Sequence, residues 1–147
     1  MTSKLLTAIA LVSTLYFTAP ASAQKIDVNS NVRRLIETRE CQGCDLSGAN
    51  LQGAHLIGAD LRNANLKGAN LKNANLEGAD LTGANLQSAN LTSAFVNSVS
   101  LNNANMMNAN LTNAQFISAE LDGANLIGVN LAGTELFNVN LGIGGEY

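Results

Sequence analysis

Two cysteines separated by two residues, Cys41 and Cys44, have the clearest chemical potential in this chain. Such a pair can form a disulfide, remain as two buried thiols, or exchange disulfides with a substrate. Redox exchange normally uses a pair at a helix N-terminus in a βαβ setting, whereas this pair follows a predicted helix. We predict a structural disulfide, and we keep buried thiols and thiol–disulfide exchange through Cys41 and Cys44 as alternatives.

Metal binding and acid–base catalysis receive little support from the residue types present. Two cysteines cannot complete a zinc site, and His55 is the only histidine in the sequence. A general base also needs a nucleophile, an orienting group and a pocket, and no such set accompanies His55. We therefore predict a non-enzymatic protein with no catalytic residue, no metal site and no cofactor.

The composition narrows the classes of partner. The 147 residues include 8 Lys and Arg and 11 Asp and Glu, for a net charge of −3, and only 4% are aromatic. A mildly acidic chain lacks the basic footprint of a nucleic-acid binder, and it has too few rings for base stacking. We expect no nucleic-acid partner. The abundance of three residue types, 22 Leu, 21 Ala and 21 Asn, indicates a repeat.

Every fifth residue from Leu46 to Leu141 is large and apolar, and 17 of these 20 positions are Leu. The residue two before each is small, most often Ala. This period matches neither a helix nor a strand. Gly or Asn two residues after most of these positions marks a turn in every repeat. The repeat therefore predicts short extended pieces whose apolar side chains face one interior, and the predicted core includes Leu46, Leu66, Leu86, Met106 and Leu126.

The motifs Ala49-Asn50-Leu51, Ala59-Asp60-Leu61 and Ala79-Asp80-Leu81 resemble the pentapeptide repeat family, whose pattern is A-(D/N)-L-x-x. The resemblance covers residues 44–143. It implies an all-β fold, a right-handed quadrilateral β-helix with four repeats in each coil. Twenty repeats then make about five coils, stacked at the spacing of β-strands.

The N-terminal residues have the pattern of a secretory signal peptide, in which Lys4 precedes an apolar run and Ala21-Ser22-Ala23 provides a cleavage site. The run is too short to span a bilayer well, so we expect no stable membrane span after cleavage. The predicted organisation is a signal peptide over 1–23, an N-terminal segment with a capping helix over 24–43, the β-helix over 44–143 and a tail over 144–147. The capping helix itself is predicted at residues 30–40, because Val32, Leu35 and Ile36 are spaced to form one apolar helix face. Ser30 or Asn31 is its predicted N-cap.

The cysteine pair that leads into the repeats also resembles the N-terminus of exported cyanobacterial and chloroplast-lumen members of the family. This resemblance implies an exported protein of the periplasm or the thylakoid lumen. An oxidising compartment of that kind favours the disulfide.

At 20 residues per coil, outward residues n and n+20 stack in columns. This arithmetic places Phe95, Ile117 and Phe137 on one face, and Met107 and Ile127 on the opposite face. Clustered exposed apolar side chains often mark a protein-binding surface, so the first group is the candidate partner surface. The alternatives are that these exposed apolar residues are scattered and merely tolerated, or that the C-terminal tail covers them.

The favoured function is that of a rigid structural or protein-interaction module whose partner is an unknown protein. The resemblance implies two further properties found in some family members. One is topoisomerase binding by DNA mimicry, which the net charge of −5 over residues 41–147 supports poorly because a duplex carries one charge per about 1.7 Å. The other is a homodimer formed through the C-terminal coil.

Overall fold

The computed structural model describes residues 28–140, and from Glu40 onward the backbone winds with a 20-residue period. A helix, α1 (Val28–Thr38), precedes two short strands, β1 (Gln115–Ile117) and β2 (Glu135–Phe137). The strands are parallel, with Phe116 opposite Leu136. Elsewhere single parallel bridges join residue n to residue n+20, beginning with Glu40 and Asp60. The predicted signal peptide and C-terminal tail lie outside the described residues.

A tight turn closes each repeat. In the first of them, the Ala49 N–H donates to the Leu46 carbonyl at 3.0 Å, and Gly48 between them has a φ of 63°. Positive φ at the third residue of a four-residue turn is the requirement that selects Gly or Asn there. Asn63 fills the equivalent position in a later repeat, with a φ of 56°. The predicted turns are therefore present, with Gly or Asn at most of the described corners. Ser takes the same positive φ at four of them, Ser88, Ser93, Ser98 and Ser118.

Hydrogen bonds join each 20-residue turn of the solenoid to the next and so pair the backbone N–H and C=O groups. The Leu66 N–H donates to the Asn85 carbonyl at 2.8 Å, and the Asn85 N–H donates back to the Ala64 carbonyl at 2.9 Å. The same reciprocal pattern recurs along the solenoid. Because buried backbone groups must be paired, this pattern allows a wholly apolar interior.

The interior consists of stacked Leu and Ala side chains. Leu46, Leu66, Leu86 and Met106 are fully buried, as predicted. The prediction for Leu126 is wrong in degree, because this side chain is 36% exposed. Inward side chains elsewhere are covered by the turns on both sides, whereas Leu126 belongs to the last turn that the structure describes.

Helix α1 covers the opposite end of the solenoid. Leu35 is fully buried, and Val28 and Val32 pack against the core. The helix spans Val28–Thr38 instead of the predicted 30–40. Asn31 lies within it and donates through Nδ2 to the Asp45 carbonyl at 3.0 Å, so this amide attaches the helix to the first turn. No helix among residues 28–140 combines the length and apolar character that crossing a bilayer requires.

Candidate interaction surface

One side of the solenoid carries most of its outward-facing large apolar side chains. We call this side the aromatic face and define it as residues 55–57, 75–77, 95–97, 115–117 and 135–137. In each of these segments the middle residue points inward and its two neighbours point outward. The parallel pairing of n with n+20 aligns the outward positions in two columns.

The three residues of the candidate partner surface lie together on this face. Ile117 and Phe137 are direct partners in the β1–β2 register, and they are 37% and 71% exposed. Phe95 is 44% exposed and pairs with Gln115, which lies two residues before Ile117 on the same strand. Phe95 is thus a diagonal neighbour of Ile117, at a separation that large side chains can bridge.

A fourth apolar residue of the aromatic face, Ile57, was missed by the sequence reasoning although it is 52% exposed. The same 20-residue arithmetic finds it, because Ile57 is three turns before Ile117 in one column. Met107 and Ile127 lie on the opposite side. Ile127 is exposed there and Met107 is half-buried.

The neighbouring side, across one corner, carries carboxylates. We call it the acidic face and define it as residues 60–62, 80–82, 100–102 and 120–122, together with Glu40 and Asn140 at the ends of its ladder. Arg62 donates to Asp60 at 2.6 Å and lies 3.8 Å from Asp80. The hydrogen bond from Arg62 holds the pKa of the Asp60 carboxyl below its ordinary value. The same contact raises the pKa of Arg62.

A ladder of side-chain amides stiffens another side. Asn65 donates to Asp45 at 3.0 Å, Asn85 donates to Asn65 at 3.4 Å, and Asn105 donates to Asn85 at 3.4 Å. Asp45, which only accepts when ionised, begins this ladder. Hydrogen bonds from the Ser47 side chain and backbone, with a smaller one from Asn65, lower the pKa of Asp45. No structural role was predicted from the sequence for the Asn or Asp that precedes most of the inward Leu residues.

Cys41 and Cys44 form a disulfide, with their Cα atoms 5.2 Å apart. Both residues are buried where helix α1 meets the first turn, and Cys41 Sγ lies 3.5 Å from the Asn31 carbonyl oxygen. Thiol–disulfide exchange requires an incoming thiolate to reach one of the sulfurs. Burial of the pair opposes that approach and favours a structural role.

His55 lies at the exposed edge of the aromatic face. Within residues 28–140, no group of three or more His, Cys, Asp or Glu side chains is arranged to hold a metal ion. The described residues present an apolar face beside an acidic one.

Comparison with known proteins agrees with this architecture. The sequence profile described as Pentapeptide repeats matches residues 40–78, 64–103 and 104–142. The chain belongs to the pentapeptide repeat family. The family assignment made from the Ala-Asn-Leu motifs is confirmed.

Solved structures of pentapeptide repeat proteins show the same fold. Rfr23 from the cyanobacterium Cyanothece 51142 matches with a TM-score of 0.64 and 33% identity, over 78% of this chain and 95% of that one. QnrB1, a plasmid-mediated fluoroquinolone resistance protein, matches with a TM-score of 0.60 and 22% identity, over 71% of this chain and 53% of QnrB1. These relationships imply a right-handed quadrilateral β-helix.

A pentapeptide repeat protein from the Arabidopsis thaliana thylakoid lumen is also similar, with 30% identity over 70% of this chain and 62% of that one, and a TM-score of 0.37. No protein among curated sequences matches the chain.

Proposed function

We propose that this chain is an exported, non-enzymatic pentapeptide repeat protein that acts as a rigid module and binds a protein partner through its aromatic face. The observation that carries the proposal is the concentration of exposed Ile57, Phe95, Ile117 and Phe137 on one face. Outward positions elsewhere are mostly polar, and clustered apolar exposure is typical of a binding surface.

The framework of this face supports binding without rearrangement. The backbone of β1 and β2 is fixed by the turn-to-turn hydrogen bonds, and the Ile117 N–H also donates to Asn97 Oδ1 at 3.3 Å. A backbone that is already ordered loses little conformational entropy when a partner binds, which favours affinity per unit area. We propose about five coils for the whole β-helix, because it contains 20 repeats and each coil takes four of them.

Export and the location in a periplasm or thylakoid lumen remain part of the proposal. They rest on the signal-peptide pattern before Gln24. The buried disulfide at the start of the solenoid supports them, because disulfides persist in oxidising compartments.

Affinity capture from the exported fraction of the source organism tests the function. The full chain should retain a protein that the double variant Ile117→Asp with Phe137→Asp does not retain, because the added carboxylates oppose apolar contact. The control is Met107→Asp with Ile127→Asp, which adds the same charges on the opposite face and should still capture that protein. Failure of the unmodified chain to retain any protein would refute the proposal.

We also propose a homodimer, formed through the C-terminal coil. Leu126, Leu131 and Leu136 are exposed there and line an apolar cavity of about 30 Å³ with Phe116 and Leu121. Light scattering of the full chain and of Leu131→Glu tests this arrangement. A mass that is monomeric at high concentration would remove it.

A further inference from the structure

The charges of this chain are separated along the solenoid. Every Lys and Arg lies at or before Lys72, whereas six acidic residues follow it. Among the described residues after Lys72 the acids are Glu77, Asp80, Glu120, Asp122 and Glu135, and there is no basic residue. The later turns, which carry Phe95, Ile117 and Phe137, therefore combine apolar side chains with the three carboxylates of Glu120, Asp122 and Glu135 and with no basic residue.

The carboxylates beside this apolar group lack the compensation that Asp60 has. Glu120 Oε2 accepts from Asn102 Nδ2 at 3.0 Å, and Asp122 Oδ2 accepts from Asn140 Nδ2 at 3.4 Å. Neutral amides orient a carboxylate without cancelling its charge. Both ion pairs formed among residues 28–140 involve Arg62, which lies on earlier turns.

An open groove lies at the corner between the aromatic face and the acidic face. It has a volume of about 360 Å³ and is lined by residues 118–120 and 138–140. Ile117 and Phe137 precede these segments on the aromatic face. Ala119 and Val139 form part of the groove wall, and Glu120 lies on its acidic side. A Lys or Arg side chain suits such a groove, because its methylenes pack on apolar surface while its charged end reaches a carboxylate.

The size of the aromatic face argues against a second copy of this chain as the occupant. Five stacked segments of three residues cover roughly 240 Å² at ordinary strand spacings. A stable dimer buries about 800 Å² on each partner.

We propose that the later turns bind a short segment of a partner protein in which apolar side chains alternate with Lys or Arg. The apolar side chains would lie on Ile117 and Phe137, and a cationic side chain would pass through the corner groove to Glu120 and Asp122. This inference rests on the proposed function and specifies the chemistry of the partner. The small area makes the complex a transient one.

Fluorescence anisotropy with three labelled peptides of equal length tests the chemistry. One alternates Leu with Lys, the second alternates Leu with Glu, and the third alternates Ser with Lys. The full chain should bind the Leu/Lys peptide and bind the other two at least about tenfold more weakly, because each of them lacks one of the two contacts. Equal binding of the Leu/Lys and Ser/Lys peptides would overturn the proposal, since charge alone would then explain it.

Matched variants test the location. Ile117→Ser with Phe137→Ser should weaken Leu/Lys binding about tenfold, whereas Met107→Ser with Ile127→Ser on the opposite face should change it little.

Glu120→Gln with Asp122→Asn should weaken binding several-fold and flatten its salt dependence, because exposed ion pairs contribute modestly and are screened. Glu37→Gln with Glu40→Gln removes two charges at the other end and serves as the control. If either double variant and its control lost the same affinity for the Leu/Lys peptide, the assigned location of the binding site would be wrong.

Two further measurements separate the other occupants. Self-association of the full chain that disappears in Ile117→Ser with Phe137→Ser would assign the face to a second copy and overturn the proposal. Binding to zwitterionic or cationic lipid vesicles that is lost in the same double variant would assign the face to a membrane. That result would also overturn the proposal. A captured partner whose binding ignores Glu120 and Asp122 would refute this chemistry and leave the proposed function standing.

Discussion

At the scale of single residues, asparagine serves two different purposes in this solenoid. Before an inward Leu, its side-chain oxygen accepts a backbone N–H two residues later, as Asn90 does for Thr92 at 3.1 Å. At a corner, asparagine adopts positive φ and its side chain reaches over the next turn. The Asn103 Oδ1 atom occupies the space in which a Cβ on Gly123 would lie.

Alanine substitution at two corner glycines should therefore have different costs. Gly48 and Gly123 both have positive φ, so each Gly→Ala change should cost about 1–2 kcal/mol of left-handed strain. A Cβ at position 48 meets nothing within 4 Å, whereas one at position 123 lies 2.6 Å from Asn103 Oδ1. We expect Gly123→Ala to cost about 0.5–1.5 kcal/mol more, the cost of forcing an unfavourable rotamer.

Chemical denaturation measures both changes in unfolding free energy. Adding Asn103→Gly to Gly123→Ala should remove the extra cost. Equal destabilisation by Gly48→Ala and Gly123→Ala would show that the Asn103 side chain turns aside without cost.

The lowered pKa values of Asp45 and Asp60 predict an acid dependence of stability. Their folded-state pKa values lie below the unfolded value of about 4, so their contribution is fully present above that pH and is lost as pH falls through the folded values. The melting temperature should therefore fall as the pH is lowered below about 4. Asp45→Asn with Asp60→Asn should show a shallower decline over the same range, and an unchanged slope would contradict the assignment.

At the scale of elements, helix α1 shows how far sequence rules extend. The spacing of Val32, Leu35 and Ile36 predicted a helix with one apolar face, and the first two do pack on the core. Ile36 is exposed, so the face is narrower than predicted. The predicted boundaries were displaced because capping residues were read as the start of the helix. Asn31 instead hydrogen-bonds to the first turn, which is a tertiary contact that local sequence does not encode.

Leu35 and Ile36 offer a matched pair for testing the cap. Leu35→Ala should destabilise the protein by about 2–5 kcal/mol, because it leaves a cavity between the helix and the first turn. Ile36→Ala, on the exposed side, should change stability by about 0.5 kcal/mol or less. Urea denaturation measures both, and similar losses would indicate that the helix does not cover the core through Leu35.

At the scale of the whole molecule, periodicity predicted the inward and outward positions of nearly every described repeat. The five-residue pattern is itself the burial pattern, which is why Leu46, Leu66, Leu86 and Met106 are buried as predicted. Grouping the outward residues into faces needed the 20-residue period, which came from the family resemblance. The exposure of Leu126 was not predictable, because the pattern describes each repeat and carries no information about its position along the stack.

The effect of a core substitution on stability should depend on its position along the stack. Leu86 lies in the middle of the stack, so Leu86→Asp places a carboxylate in a fully apolar interior and should abolish folding. Leu126→Asp should unfold only the last turns, because each repeat in a solenoid contacts mainly its neighbours. Hydrogen exchange should show the earlier turns still protected in Leu126→Asp. Global loss of protection in this variant, or a folded Leu86→Asp protein, would contradict this view.

The two periods of the chain also determine which insertions and deletions it can accept. Inward residues recur every five positions, whereas backbone partners recur every 20. Removing one whole repeat keeps every later Leu inward and every later corner at Gly, Asn or Ser, but it rotates the downstream surface by a quarter turn. Removing four repeats restores the alignment. The core can therefore change length in single repeats, while a column such as that of Ile57 and Ile117 stays continuous only when the length changes by complete coils.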